Sequence, residues 1–335
     1  MAIEVLIGRD AVPIDDTLFT ALLDSSVAGT YKGYERALES GRIKYVELVE
    51  LARTGEIPRS LFFAPLSLVQ RQVKTKTEKL LAGVSRDTFS IGSRSKVDLR
   101  DVELMVKDLI RKQQLVRKHD PSLQRNSIVG LLRDDTSAVE ADAARLMSAI
   151  GLSNEELRSC RTKTKTLDLI IVRLEANQVL VSRSVQHYVP QRLTHVEFSG
   201  LTIRDNKVPY IFLAGGDHGD DQEPAGRTIF TLALMTVLVA RRTFAPMTWD
   251  GGSAETDPGR EYDIAGAMLM PTNRMKELRP TSLADMKAAV DEFKVTASAV
   301  TVRALRLGII NRETATNRLD ELRSEFRRLP KGGPR

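Results

Sequence analysis

The chain has 335 residues with a formal net charge of +6, and 42% of them are hydrophobic and 28% charged, as in soluble globular proteins and unlike disordered chains. Its longest uncharged apolar stretch, Thr228 to Ala240, has 13 residues, whereas a membrane-spanning helix needs about 20. The single cysteine, Cys160, excludes a disulfide framework, and the N-terminus shows no secretory signal, so we expect a cytoplasmic protein.

The first 64 residues are net acidic, with 7 Lys/Arg against 10 Asp/Glu, and their apolar spacing predicts three helices. Asp15 or Asp16 is a candidate cap of the first helix, and Gly41 and Gly55 are placed to end the next two. We interpret segment 1–64 as helix-turn-helix-like or, alternatively, as a helical packing module.

Segment 65–135 carries most of the basic excess, because residues 65–133 hold 15 Lys/Arg against 7 Asp/Glu, a net of +8. Amphipathic helices are predicted over 66–80 and 97–117. A field of this kind attracts nucleic acid or an acidic protein partner, although a solvated helix face explains a single charge run equally simply. The candidate binding residues are Arg71, Lys74, Lys76, Lys79, Lys107, Arg111 and Lys112.

Segment 136–280 mixes helices with a few strands. Alternating apolar residues and a turn at Asp205-Asn206 predict a β-hairpin over 195–213. Three helices are expected in segment 281–328, and 329–335 is a tail. The predicted fold class is α+β, mainly α. The other predicted elements of this part are helices 138–150, 167–175, 227–241, 261–270, 282–293, 297–306 and 312–327, and a short strand 179–181.

The order strand, loop, apolar helix, loop and a helix ending in Leu269-Met270-Pro271 resembles the ImmA/IrrE family of metallopeptidase-like regulators. The helix from Arg227 to Leu238 occupies the place of the family's R-x-x-F-T-L-A-H-E-x-x-H segment. The stretch from Phe293 to Gly308 is similar to the family's next helical motif. The resemblance implies a zincin-like domain over 136–280 and a winged-helix-like segment over 281–328.

The departure from the family pattern concerns the zinc site. A zincin helix carries two histidines at i and i+4 with a glutamate beside the first as general base. Here these positions are Leu234, Met235 and Leu238, and the third ligand falls on Arg260, one residue before Glu261. Leucine and methionine cannot hold zinc in this way or accept a proton, so we expect a pseudo-peptidase that is not an enzyme and has no zinc or other cofactor.

A polar loop before the apolar helix is a second candidate metal site. Asp217, His218, Asp220 and Glu223 fall within seven residues and carry oxygen and imidazole ligands suited to a divalent ion. The spacing does not follow the calcium-loop pattern, so a solvated turn is the simpler interpretation.

The resemblance implies a regulatory protein that acts by binding another protein, such as the antitoxin of a PIN-type nuclease toxin or a regulator of mobile elements or stress. A DNA-binding transcriptional regulator is the alternative, and a metalloendopeptidase with an unconventional metal site is the second alternative. For DNA, the helix with Arg303 and Arg306 is a further candidate beside the basic segment. Self-association into a homo-oligomer is left open.

Overall fold

A computed structural model describes residues 2–24, 26–55, 57–80, 99–134, 137–183, 198–213, 224–243, 246–248 and 259–328. These residues form two compact units. The described part of the first unit runs to Leu80 and includes the start of helix α5 (Leu99–His119) up to Asp108, and the second unit contains the described residues from Leu109 onward. The basic segment predicted over 65–135 is therefore divided between the two units.

The first unit begins with a small sheet that the sequence analysis did not predict. Strands β1 (Ala2–Ile7) and β2 (Asp10–Asp15) form an antiparallel hairpin, and β3 (Arg42–Lys44) pairs parallel to β1, giving the order β2-β1-β3. Segment 1–64 thus contains three strands besides its predicted helices. One of them, β3, lies between the second and third of these helices.

The predicted helices of the first unit are confirmed around this sheet. They are α1 (Asp16–Asp24), α2 (Lys32–Ser40), α3 (Tyr45–Thr54) and α4 (Leu66–Leu80). The Asp15 carboxylate accepts the Thr17 amide N–H at 2.8 Å, which caps α1, and Gly41 ends α2 with a φ of 66°. Phe19 stacks on Tyr34 with 5.7 Å between ring centroids, and with Phe62 they form the centre of a separate hydrophobic core.

The second unit is mostly helical, as predicted. Short helices α7 (Asn154–Ser159) and α11 (Thr272–Leu278) were not expected, because each has too few residues to show a periodic apolar pattern. The remaining helices are α6 (Val139–Ala149), α8 (Lys163–Ala176), α9 (Ala225–Arg241), α10 (Gly259–Leu269), α12 (Leu283–Phe293), α13 (Ala297–Arg306) and α14 (Arg312–Arg328).

The sheet of the second unit contains the predicted hairpin. Strands β5 (Phe198–Ile203) and β6 (Tyr210–Leu213) are antiparallel, with Leu201 opposite Phe212. The predicted strand near 179–181 is β4 (Leu180–Arg183), parallel to β6, and β7 (Pro246–Thr248) pairs with β5. The order is β4-β6-β5-β7. The α+β, mainly α fold class is confirmed.

One hydrophobic core joins the parts of the second unit that the sequence analysis separated at residue 280. It extends from Ile128 through α9 to Val300 and Ala315. The three C-terminal helices therefore do not form a compact unit of their own. Among the described helices, none combines the length and the apolar character needed to cross a membrane.

Candidate functional site

Helix α9 lies at the centre of the second unit, packed on strands β5 and β6 and on helices α8 and α10. Its side chains are apolar on every face, so it belongs inside a core. Leu234, Met235 and Leu238 are 4%, 0% and 3% exposed. Met235 lies against β5, because a Cβ atom added to Gly200 would come 3.2 Å from Met235 Cε.

The residues at these three positions do not fit the zinc ion that the resemblance implies. A catalytic zinc site needs imidazole, carboxylate or thiolate ligands and an open position for water. Leu234 and Leu238 have no donor atom, and the Met235 side chain cannot act as a general base. Each is enclosed by other apolar side chains of the core. No hydrolytic step can be derived from this part of α9.

The position of the third ligand, at the start of α10, is occupied by ion pairs. Arg260 Nη2 lies 2.7 Å from Oδ2 of Asp142, which is completely buried on α6, and it also donates to the Ser137 carbonyl. Glu261 Oε1 lies 2.7 Å from Arg241 Nε at the end of α9. These contacts join α10 to α6 and α9.

We expect the pair of Arg241 and Glu261 to contribute measurably to stability, because both side chains are largely buried, 14% and 17% exposed. A double-mutant cycle with Arg241→Ala and Glu261→Ala should give a coupling energy of about 1–2 kcal/mol in urea unfolding. A cycle on the exposed pair Arg323 and Asp320 serves as the control and should give less than about 0.5 kcal/mol. Equal coupling in the two cycles would contradict the structural importance of the α9–α10 pair.

A second ionic cluster joins α10 and α11 to α13 and α6. Asp263 accepts both Nε and Nη2 of Arg306, and the buried Arg303 donates from Nη2 to Thr272 Oγ1 at 2.9 Å. Thr272 in turn donates to Glu140 Oε1 at 2.7 Å. Burial lowers the pKa of Arg303. Arg303 and Arg306 thus bind groups inside the unit, so the proposal that their helix presents them to DNA is wrong.

The Thr272 hydroxyl is the main cause that holds the pKa of Glu140 below its ordinary value of 4.5. The hydrogen bond from Thr272 to ionised Glu140 therefore stabilises the folded protein fully above pH 4.5. This stabilisation is lost as the pH falls through the lower pKa that Glu140 has in the folded state. We expect Glu140→Gln to cost more stability at pH 6 than at about pH 3, measured by urea unfolding. Thr272→Val should remove the same pH-dependent difference in stability. If Glu140→Gln had the same effect at both pH values, the hydrogen bond between Thr272 and Glu140 would not be the source of the pH dependence.

The predicted basic residues whose side chains the structure describes are divided between the two units. Arg71 and Lys74 are exposed on α4 of the first unit, whereas the exposed Arg111 and the half-buried Lys112 lie on the part of α5 that belongs to the second unit. The side chains of Lys76, Lys79 and Lys107 lie outside the described residues.

The acidic loop with Asp217, His218, Asp220 and Glu223 also lies outside the described residues. Within the described ranges, no three His, Cys, Asp or Glu side chains come together in a way suited to a metal ion. The half-buried Cys160 donates its thiol to the Glu156 carbonyl at 3.4 Å.

A polar cleft of about 580 Å³ between α7, α11 and α12 was not anticipated from the sequence. Its central side chain, Arg274, is held by Glu292 at 2.6 Å and Glu277 at 2.9 Å. Its cation and two carboxylates satisfy one another, so they leave no evident catalytic group. The other lining residues are Asn154, Arg158, Pro271 and Asn273. No sequence signal identifies this cleft, because its walls are separated by more than 100 residues of chain.

No family model, no curated protein and no solved structure matches this chain.

Proposed function

We propose that this protein is a regulatory protein of the cytoplasm that acts by binding another protein and has no peptidase activity or cofactor of its own. The observation that carries the proposal is the apolar filling of α9 at Leu234, Met235 and Leu238, where the resembled family has its zinc ligands and general base. A buried leucine or methionine supports the core and supplies no group that activates water.

The start of α10 supports the same interpretation. In a peptidase of the resembled family, this helix would supply a ligand to the metal. Here Arg260 and Glu261 hold α10 to its neighbours through Asp142 and Arg241. These ion pairs link α10 to α6 and α9 at the place where a metal would link helices in the resembled family.

Protein binding is supported by the distribution of exposed apolar side chains. Of the ten large apolar side chains that are exposed among the described residues, seven lie in the first unit. Val46 and Phe63 are the most exposed of these seven, at 68% and 50%. Apolar side chains that share one exposed patch mark a surface that binds another protein, so we place the partner on the first unit. The resemblance points to a nuclease toxin of the PIN type as the partner.

The metal-free part of the proposal is tested by elemental analysis of purified protein after mild dialysis. We expect well below one zinc ion per chain, and no hydrolysis of an unfolded protein substrate with or without added zinc. About one zinc ion per chain that is lost on His218→Ala or Glu261→Ala would overturn the pseudo-peptidase proposal.

The binding part is tested by co-expression with the product of the neighbouring gene and by measuring the mass of the purified complex. We expect a stable complex that is weakened at least about tenfold by Val46→Asp with Phe63→Asp, since each change places a charge in an apolar contact. Val172→Asp is the matched control, because Val172 is 60% exposed in the second unit. A complex that is unaffected by the first pair and lost with the control would contradict binding through the first unit.

A further inference from the structure

Two segments of the second unit that are distant in sequence, residues 113–126 and the β5–β6 turn, meet at the end of α5. Gln113 Nε2 on α5 donates to the Val208 carbonyl at 2.6 Å, and Arg117 Nη1 lies 2.8 Å from Asp205 Oδ2. The Asn126 amide N–H donates to the Asn206 carbonyl at 2.9 Å. The last two turns of α5, the following loop to Asn126 and the β5–β6 turn therefore form one assembly.

The assembly is braced internally. Asp205 Oδ1 accepts the backbone N–H groups of Lys207 at 2.7 Å and Val208 at 2.9 Å, which fixes the turn. The Gln178 amide donates to the carbonyls of Gln124 and Lys207, both at 3.0 Å, and so ties the loop to the turn. The backbone that carries the neighbouring side chains is therefore already ordered before a ligand binds.

The braced segments carry an excess of positive charge, and we name their five basic residues the turn cluster. The same segments carry two acidic groups: Asp205 pairs with Arg117, and Asp120 accepts the backbone N–H and hydroxyl of Ser122 and keeps its charge. Glu175, at the end of α8, is a further exposed acid. The turn cluster consists of Arg117, Lys118, Arg125, Arg204 and Lys207.

We propose that the turn cluster binds the phosphodiester backbone of a nucleic-acid duplex. Lys118, Arg125 and Arg204 are exposed and make no ion pair with the described residues, so their charges are available to phosphate oxygens. The amide and hydroxyl groups of Asn206 and Ser122 lie among them, and phosphate contacts in nucleic-acid complexes use this combination of groups.

The chemistry of the surface favours a polyanion over an acidic protein. Protein interfaces need buried apolar or aromatic anchors at their centre. Apart from Pro121, the exposed residues of 117–125 and 204–207 are polar or charged. The nearest exposed large apolar side chain on α5 is Leu115, which lies about 160° around the helix from Arg117. This surface is independent of the protein-binding function proposed above, which concerns the first unit.

The test uses the full chain and fluorescently labelled duplexes of 20 base pairs and mixed sequence, one of DNA and one of RNA, in anisotropy titrations from about 50 to 200 mM salt. We expect binding that weakens steeply with salt, because each neutralised phosphate releases counterions. The variant Lys118→Glu, Arg125→Glu, Arg204→Glu should lose at least about tenfold in affinity at low salt and reduce the logarithmic salt slope by about 3.

The matched control is Arg158→Glu, Arg161→Glu, Lys165→Glu, three exposed basic residues of the same unit with the same change of charge. It should leave most of the affinity in place, and circular dichroism should show both variants folded. An equal loss in the two variants would overturn the assignment to the turn cluster. Absence of binding to both duplexes would overturn the proposal outright, and binding of polyglutamate that only the first variant loses would assign the surface to an acidic protein.

Discussion

Restoring the peptidase motif with Leu234→His, Met235→Glu and Leu238→His is expected to unfold or severely destabilise the second unit and to produce no activity. All three positions are in the core, at most 4% exposed, and lie among apolar side chains. Each substitution places a polar group in this core, which costs about 1–3 kcal/mol where the group finds no hydrogen-bond partner. The sum is a large part of the roughly 5–15 kcal/mol that stabilises a typical domain. Urea and thermal unfolding, each with and without zinc, measure the effect.

The matched control keeps the shape of the core and changes no polarity. Leu234→Met with Leu238→Met should cost less than about 1.5 kcal/mol per site, because the two side chains have similar volumes. A folded triple variant whose melting temperature rises on addition of zinc would contradict our interpretation. It would show that a metal cavity survives beside α9 and that a third ligand lies near it.

The second large effect is expected for Gly226→Ala, at the start of α9. A Cβ atom on Gly226 would lie 2.6 Å from the Val295 carbonyl carbon and 3.0 Å from the Thr296 backbone nitrogen. These are backbone atoms of the loop between α12 and α13, so they cannot move aside as a flexible side chain would. We expect a loss of about 3 kcal/mol in the free energy of unfolding, measured by urea denaturation.

Gly33→Ala on α2 is the comparison, because the nearest atom to an added Cβ there is 3.9 Å away, at Leu51. Alanine favours a helix over glycine, so this variant should gain up to about 1 kcal/mol. If the two variants had the same effect, the close approach of α9 to the α12–α13 loop would not be the cause. The test therefore separates backbone packing from helix propensity.

The local patterns that the sequence analysis used were reliable where an element is long or has a clear turn. The amphipathic spacing predicted α5 and α6, and the alternation before Asp205 predicted the hairpin of β5 and β6. The sheet of the first unit was not predicted from the sequence. Only Ile3 and Val5 of β1 are buried in alternation over six residues, and β3 has three residues and depends on β1 for its hydrogen bonds.

By itself the sequence determined that α9 is apolar on every face and that the zinc ligands of the resembled family are absent, since both follow from the identity of residues within one helix. Only the tertiary structure decided which interactions hold α9 and α10 to their neighbours and which charged side chains pair with each other. Asp142 and Arg260 are 118 residues apart, as Arg117 and Asp205 are 88 apart, and charge alone does not select such partners from the many on the chain. The physical reason is that such pairs form where apolar packing brings oppositely charged side chains close together, and that packing is a property of the whole core.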